Sequence, residues 1–281
     1  MRETAPAKVN LSLLVGPLRD DGRHELVSVM QAITLADELE MHDGERDEVS
    51  CPGVEGPNLA AAALRAFRAA TGWDGPGQRI EIRKRIPVAA GMGGGSADAA
   101  AVLRLAARRA GVADEALLLE LAATLGSDVP ALLAPGRALV RGAGERVVAL
   151  ADPPPFGVLV LPSRAQLSTA AVYARAERLG GLRSANELAA LDPLAAVGVN
   201  DLEAAARSLE PSIDVALVHA RETGAMPAMV CGSGPTVIGI FDRPETAVLA
   251  AESLRAAGVE ALAAAPLMRA SDARTARGSG D

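Results

Sequence analysis

Gly91, Gly93, Gly94 and Gly95 fall within five residues and lead directly into the alanine-rich run ADAAAVLRLAARRAG. Glycine costs a helix or strand interior roughly 0.5–1 kcal/mol relative to alanine. A chain so rich in alanine therefore keeps four glycines together for a backbone shape or a clearance that alanine denies. The loop formed by Pro87, Val88, Ala89, Ala90, Gly91, Met92, Gly93, Gly94, Gly95, Ser96 and Ala97 reads as an anion cradle. Its amides would point inward, and the positive end of the following helix would face a phosphate. Ser96 is the expected helix cap, and a plain flexible turn is the alternative. The loop lacks the lysine of G-x-x-x-x-G-K-[ST], and Ser96 takes the last glycine position of G-x-G-x-x-G, so P-loop and dinucleotide folds are disfavoured.

Around this loop, strand-like and helix-like segments alternate. Ala7–Val15, Glu25–Leu35 and Glu38–His42 read as strands, Asn58–Ala70 as a helix closed by Gly72, and Ile80, Ile82 and Ile86 mark a strand. Asp114–Leu125 reads as a helix stopping at Gly126, followed by a turn or short helix at Ser127–Pro130 and strands near 137–141 and 146–150. Asp152-Pro153-Pro154-Pro155 is the expected boundary between a domain of residues 1–151 and one of residues 152–270. In the second domain, Phe156–Leu161, Met229–Cys231, Val237–Phe241 and a short stretch from Val259 read as strands. Thr169–Leu179 capped by Ser168, Asn200–Leu209, Ser212–Thr223 and Pro244–Ala257 read as helices. Residues 271–281, polar and glycine-containing, are expected to be a disordered tail.

Composition narrows the partners. With 281 residues, 49% hydrophobic, the chain can bury a large core without disulfides or metal. Its net charge of −7 has the wrong sign for a general nucleic-acid binder, and its 2% aromatic content removes the stacking platforms of single-strand binders. The opening MRETAPAKVN has no apolar signal core, and no run of 18 apolar residues occurs. A cytoplasmic protein with neither nucleic-acid nor membrane partners is expected, as a monomer or weak homodimer. Cys51 and Cys231 stand in no metal-ligand spacing, so no metal ligand is assigned.

Individual side chains are ambiguous alone. Arginine fills 26 of the 28 basic positions, so Lys8 and Lys84 stand out as compact ammonium groups. Lys8 sits in the first strand beside Asn10 and is either a functional cation or a surface lysine. Lys84, preceding the glycine loop, reads as structural or solvated. Asp128 could cap a helix and His24 could merely begin a strand.

In order along the chain, PAKVNLSLLV (Pro6–Val15), DGRHEL (Asp21–Leu26), PVAAGMGGGSADAA (Pro87–Ala100), LGSDVP (Leu125–Pro130) and CGSGPT (Cys231–Thr236) resemble the GHMP kinase superfamily. The opening motif, the His24 motif, LGSDVP and Ser168-Thr169-Ala170 with Tyr173 resemble its branch acting on a cytidine-diphosphate-linked methylerythritol. The resemblance implies a two-domain α+β GHMP kinase fold, with a ribosomal S5 domain 2-like N-terminal domain and a ferredoxin-like C-terminal domain. It implies ATP and Mg2+, a small-molecule cytidine diphosphate substrate, and a place in non-mevalonate isoprenoid precursor biosynthesis. By motif position Lys8 and Asp128 match the catalytic pair, Pro87–Ala97 the ATP loop, and Asn10, His24, Thr169 and Tyr173 the substrate pocket. Three positions depart from the family pattern. Arg23 replaces an aromatic, Ala97 a second serine, and Cys231 a serine. Arg23 is expected to cover the base face opposite Tyr173, since guanidinium stacks on π systems. Homoserine, mevalonate-type or sugar acceptors, or a non-catalytic nucleotide-binding role, are the other outcomes such a chain could have.

Overall fold

The computed structural model describes residues 1–54 and 56–269, so the expected tail at 271–281, like Ala270, lies outside the described residues. Strands β1 (Arg2–Leu18) and β2 (His24–Gly44) form a long antiparallel pair. Along its other edge β2 is shared by two partners. β5 (Arg137–Gly142) takes residues 26–31 and β4 (Gly77–Arg83) takes residues 38–44. β3 (Glu48–Ser50) joins β4 in parallel and β6 (Arg146–Ala149) joins β5, completing the first sheet. The second, antiparallel sheet has the order β10-β7-β9-β8, with β7 at Gly157–Leu161, β8 at Ala228–Val230, β9 at Val237–Phe241 and β10 at Leu262–Ala264.

Helices α1 (Leu59–Thr71), α2 (Gly94–Ala110), α3 (Glu115–Leu125) and α4 (Val129–Leu133) belong with the first sheet. Local chemistry sets their ends. Asn58 Oδ1 accepts from the Ala60 amide at 2.8 Å, Asp114 Oδ1 accepts from Leu117 at 3.0 Å, and Gly72 closes α1 at φ 65°. Val9, Leu11, Val29 and Ile80 alternate inward along their strands and meet Phe67, Leu103 and Leu105 in the larger core. Around the second sheet lie α5 (Thr169–Leu179), α6 (Ala185–Ala190), α7 (Glu203–Leu209), α8 (Ser212–Glu222) and α9 (Pro244–Ala256). Leu159, Val172, Leu217, Val237 and Leu254 form its core. Each large side chain so buried contributes about 1.5–3 kcal/mol.

The two halves are stitched along β1. The Leu13 amide donates to Val199 O and the Asp201 amide to Leu13 O, both at 2.9 Å. Asp201 is held by Arg183 through bonds of 2.6 and 2.7 Å.

Several expectations change. The two strands expected at 25–35 and 38–42 are one strand, because Ala36 and Asp37, left between them, pair with Pro6 and Ala5 of β1. The strand expected to include Ile86 ends at Arg83, and the helix expected from Asn200 begins at Glu203. The strand β3 and the helix α6, capped by Ser184 with Glu187, were not anticipated.

Candidate active site

The site begins with an alternation on β1. Lys8, Asn10 and Ser12 share one face of the strand while Val9 and Leu11 go to the core opposite. Irregularities in the β1–β2 register fall on both sides of Lys8–Asn10, between Pro6 and Lys8 and between Asn10 and Ser12. Such irregularities re-aim side chains. The polar face is buried and therefore has to be paired. Lys8 Nζ donates to Asn10 Oδ1 at 2.7 Å, Asn10 Nδ2 to Ser28 Oγ at 2.7 Å, and Ser28 Oγ to Ser12 O at 2.6 Å.

The glycine loop closes over this chain of bonds. The Lys8 amide donates to Met92 O at 3.0 Å. Gly91 (φ 70°) and Gly93 (φ 69°) are left-handed, a conformation that penalises side chains. A Cβ at Gly91 would stand 2.6 Å from Cys231 O, and one at Gly93 would stand 3.1 Å from Lys8 Cγ and 3.4 Å from Asp128 Oδ2. Gly94 and Gly95 are already helical. Ser96 does not cap α2, since the helix starts two residues earlier with Gly93 as its cap. Gly93 offers no side chain, which leaves the first amides of α2 free for an anion. Pro87 to Ser96 all line a cleft of about 450 Å³, whereas Ala97 is buried beneath it.

Asp128 begins α4, and its Oδ2 lies 3.4 Å from Lys8 Nζ. The ammonium is almost wholly buried and the carboxylate about 30% exposed, so the pair meets the cleft from its carboxylate side. Gly232 and Ser233, from the turn after β8, form a further wall. A Cβ on Gly232 (φ 58°) would come within 3.4 Å of both Lys8 Nζ and Asn10 Oδ1. Cys231 packs behind them, and burial pushes its thiol pKa up, leaving it a space-filling thiol.

At the other end, Thr169 and Tyr173 of α5 line the cleft, with Thr169 Oγ1 3.1 Å from Ser233 Oγ. Burial, aided by Asp128, pushes the Tyr173 phenol up to about 12, so it stays protonated. The His24 ring faces Tyr173 at 5.1 Å between centroids, tilted by 32°. Arg23 departs from expectation. Neither Arg23 nor His24 lines the cleft itself; Asp21 binds the Arg23 guanidinium at 3.1 Å and its amide at 3.0 Å, while His24 sits behind Tyr173 and faces its ring.

Sequence reasoning missed several neighbours. Lys84 follows β4 and bridges two buried carboxylates, Asp37 at 2.5 Å and Asp98 at 2.8 Å, so it is not solvated. Both Lys84 and Asp98 line the cleft. Asn200 Nδ2 donates to Val230 O and Gly232 O at 2.9 and 2.8 Å, holding the Gly232 turn. Glu177, one helical turn beyond Tyr173, holds His24 Nε2 at 2.9 Å. A signal for Glu177 existed in its i+4 spacing from Tyr173. None marked Asp37 or Asn200.

Residues 58–136 match the family model for the GHMP kinases N terminal domain, and residues 171–260 that for GHMP kinases C terminal. The first spans the glycine cradle and Asp128, the second most of α5, including Tyr173, and the Gly232 turn. The chain is therefore a small-molecule kinase of the GHMP class with that class's two-domain α+β fold. A protein of Anaeromyxobacter dehalogenans (strain 2CP-C) named 4-diphosphocytidyl-2-C-methyl-D-erythritol kinase is 41% identical, covering 94% of this chain and 90% of that protein. A protein of the same name from Salinispora arenicola (strain CNS-205) is 40% identical over 99% of this chain and 91% of its own length. A crystal structure of 4-(cytidine 5'-diphospho)-2C-methyl-D-erythritol kinase superposes with a TM-score of 0.79 at 36% identity, covering 94% of this chain and 98% of that one. Mevalonate kinase from Methanococcus jannaschii, at 12% identity and a TM-score of 0.66, shares the fold alone. The chain belongs to the 4-diphosphocytidyl-2-C-methyl-D-erythritol kinase family, and ATP is its phosphoryl donor.

Proposed function

We propose that this enzyme transfers the γ-phosphoryl group of ATP to the 2-hydroxyl of 4-diphosphocytidyl-2-C-methyl-D-erythritol, in the non-mevalonate route to isoprenoid precursors, with Lys8 and Asp128 as its catalytic pair. The observation that carries the reading is their meeting, 3.4 Å apart, beneath the glycine loop in a cleft that also holds Tyr173. Phosphoryl transfer relies on positioning and charge neutralisation. Asp128 accepts the hydroxyl proton as the new O–P bond forms and the bond to the leaving ADP breaks, a contribution of about 10²–10⁴-fold. Of the three Lys8 donors, one serves Asn10 and one faces Asp128, leaving the third for an oxygen of the transferring group. The free amides of α2 hold the phosphates.

Mg2+ fits the donors present. The Ser96 hydroxyl, which lines the cleft, would give such an ion one hard oxygen ligand alongside phosphates and water. When bound it would neutralise triphosphate charge. Tyr173 and His24 would hold the cytosine, with Asn10 and Thr169 on the remainder of the substrate.

We place the domain boundary at residues 151 and 152, between the last strand of one sheet and the first of the other. No helix of the described residues is long and apolar enough to cross a membrane. With a net charge of −7, a cytoplasmic monomer or weak homodimer without a nucleic-acid partner is the reading adopted. The test is phosphate transfer from ATP to the cytidine substrate by the purified protein, with the product site located by NMR. Phosphate on another position, or turnover only with homoserine, mevalonate or a sugar, refutes it.

A further inference from the structure

The contact between His24 and Glu177 joins the first residue of β2 to the last turn of α5. Tyr173 and Glu177 lie four residues apart on α5, so they share one face of the helix. Both engage the same imidazole, the ring of Tyr173 against its face and Glu177 Oε1 at Nε2, 2.9 Å away. His24 is 8% exposed in its side chain, so this grip fixes the ring and leaves it little room to turn.

An ionised carboxylate can only accept hydrogen bonds. Facing Glu177, Nε2 must therefore carry the proton, and in the neutral ring Nδ1 is left with a lone pair. No described residue donates to Nδ1. We infer that Glu177 is a positioning residue that holds His24 in the Nε2–H tautomer, so that Nδ1 presents an acceptor which selects a pyrimidine bearing an exocyclic amine, cytosine, against one bearing a carbonyl, uracil. This rests on the proposed reading of the base pocket as the space beside Tyr173, which lines the cleft, and His24, which packs against that ring just outside it. An amine donates to Nδ1, whereas the uracil carbonyl would set acceptor against acceptor, and a site built for a polar partner discriminates strongly when that partner is missing.

The experiment compares wild type, Glu177→Ala and Glu177→Gln as full chains, at saturating ATP, with the cytidine substrate and its uridine analogue. The His24 tautomer is read from nitrogen-15 couplings of the imidazole. The chain has three histidines, and a His24→Gln variant assigns the signal. Glu177→Ala should raise KM for the cytidine substrate about tenfold, as loss of one oriented hydrogen bond does, with kcat and the ATP KM within about twofold. Its preference for cytidine over uridine should fall by a similar factor, and its His24 should become a mixture of tautomers. Glu177→Gln, whose amide can accept from Nε2–H or donate to a bare Nε2, should keep the ring in place but fall between wild type and Glu177→Ala in tautomer and in cytidine preference. If Glu177→Ala keeps its KM and preference, keeps the Nε2–H tautomer, or loses only kcat, the role of Glu177 is refuted while the base pocket stands. Equal turnover of cytidine and uridine substrates by wild type overturns the pocket reading itself, and this inference with it.

Discussion

Lys8 Nζ and Asp128 Oδ2 stand 3.4 Å apart although the chain places them on a strand near its start and at the head of a short helix in its middle. Gly93 is what permits the approach, since a side chain there would press on both. Asp128→Asn and Lys8→Met should therefore each lower turnover by about a hundredfold or more, the low end of general-base and electrostatic contributions. Methionine keeps the buried stem of Lys8 packed, so folding should survive. ATP affinity by calorimetry should change little in Asp128→Asn, because the loop amides are a separate element, and should fall in Lys8→Met, which also loses a donor to the transferring phosphoryl group. Near-normal turnover by Asp128→Asn would remove it as the base.

Gly95 offers the cleanest test of the cradle. Its hypothetical Cβ meets only Leu59 Cδ1 at 3.7 Å, and the residue is helical. Gly95→Ala should fold at least as well as wild type, gaining up to about 1 kcal/mol, yet lose ATP affinity about tenfold or more if phosphate needs that space. Gly91→Ala is the contrast, since its Cβ would collide with Cys231 O at 2.6 Å and its melting temperature should drop. Undiminished ATP binding by Gly95→Ala in a calorimeter would place the phosphates elsewhere.

What could be read in the sequence was local or motif-borne. The ends of α1, α3 and α5 follow from Asn58, Asp114 and Ser168, whose capping chemistry acts within three residues. Lys8, Asn10 and the glycine loop were legible because their residue types are unusual in their places. Long-range pairing was not legible. Asp37 fell between two expected strands, but Lys84, 47 residues away, makes it a buried partner inside β2. Ser96 was the expected cap because the pattern of free amides under Gly93 depends on where the backbone turns, which residue type alone does not reveal.

Tyr173 and Arg23 separate ring stacking from charge at the base pocket. Tyr173→Ala should raise KM for the cytidine substrate by about fivefold or more, in line with about 1–3 kcal/mol per stacked base, with the ATP KM unaffected. Tyr173→Phe should be tolerated, because the phenol stays neutral up to about pH 12 and only its ring is used. Arg23, bound to Asp21 away from the cleft, should be replaceable by alanine with less than about a threefold change in the same constant. A large loss with Arg23→Ala would show that the guanidinium leaves Asp21 to cover the base.

Asp98 should give the fold a pH dependence of predictable sign. It is 3% exposed on the inner face of α2, and burial pushes its carboxyl up to about 7 despite the opposing pull of Lys84. Lys84 itself is raised, because Asp98 and Asp37 outweigh the burial that pulls it down, so its contribution is lost only above its ordinary value near 10.5. Between about pH 4, where an unfolded aspartate titrates, and about pH 7, the folded chain holds the Asp98 proton more tightly than the unfolded chain does. The contribution of Asp98 is therefore full below about pH 4 and declines as pH rises through about 7. Asp98→Asn cannot titrate, and Asp37 remains to pair Lys84. Measured by urea unfolding at pH 4, 6 and 8, its advantage over wild type should grow as the pH rises. Taking the difference between the two curves cancels the carboxylates that do not touch the Asp98–Lys84–Asp37 cluster, and parallel curves would show that Asp98 is ionised in the fold throughout.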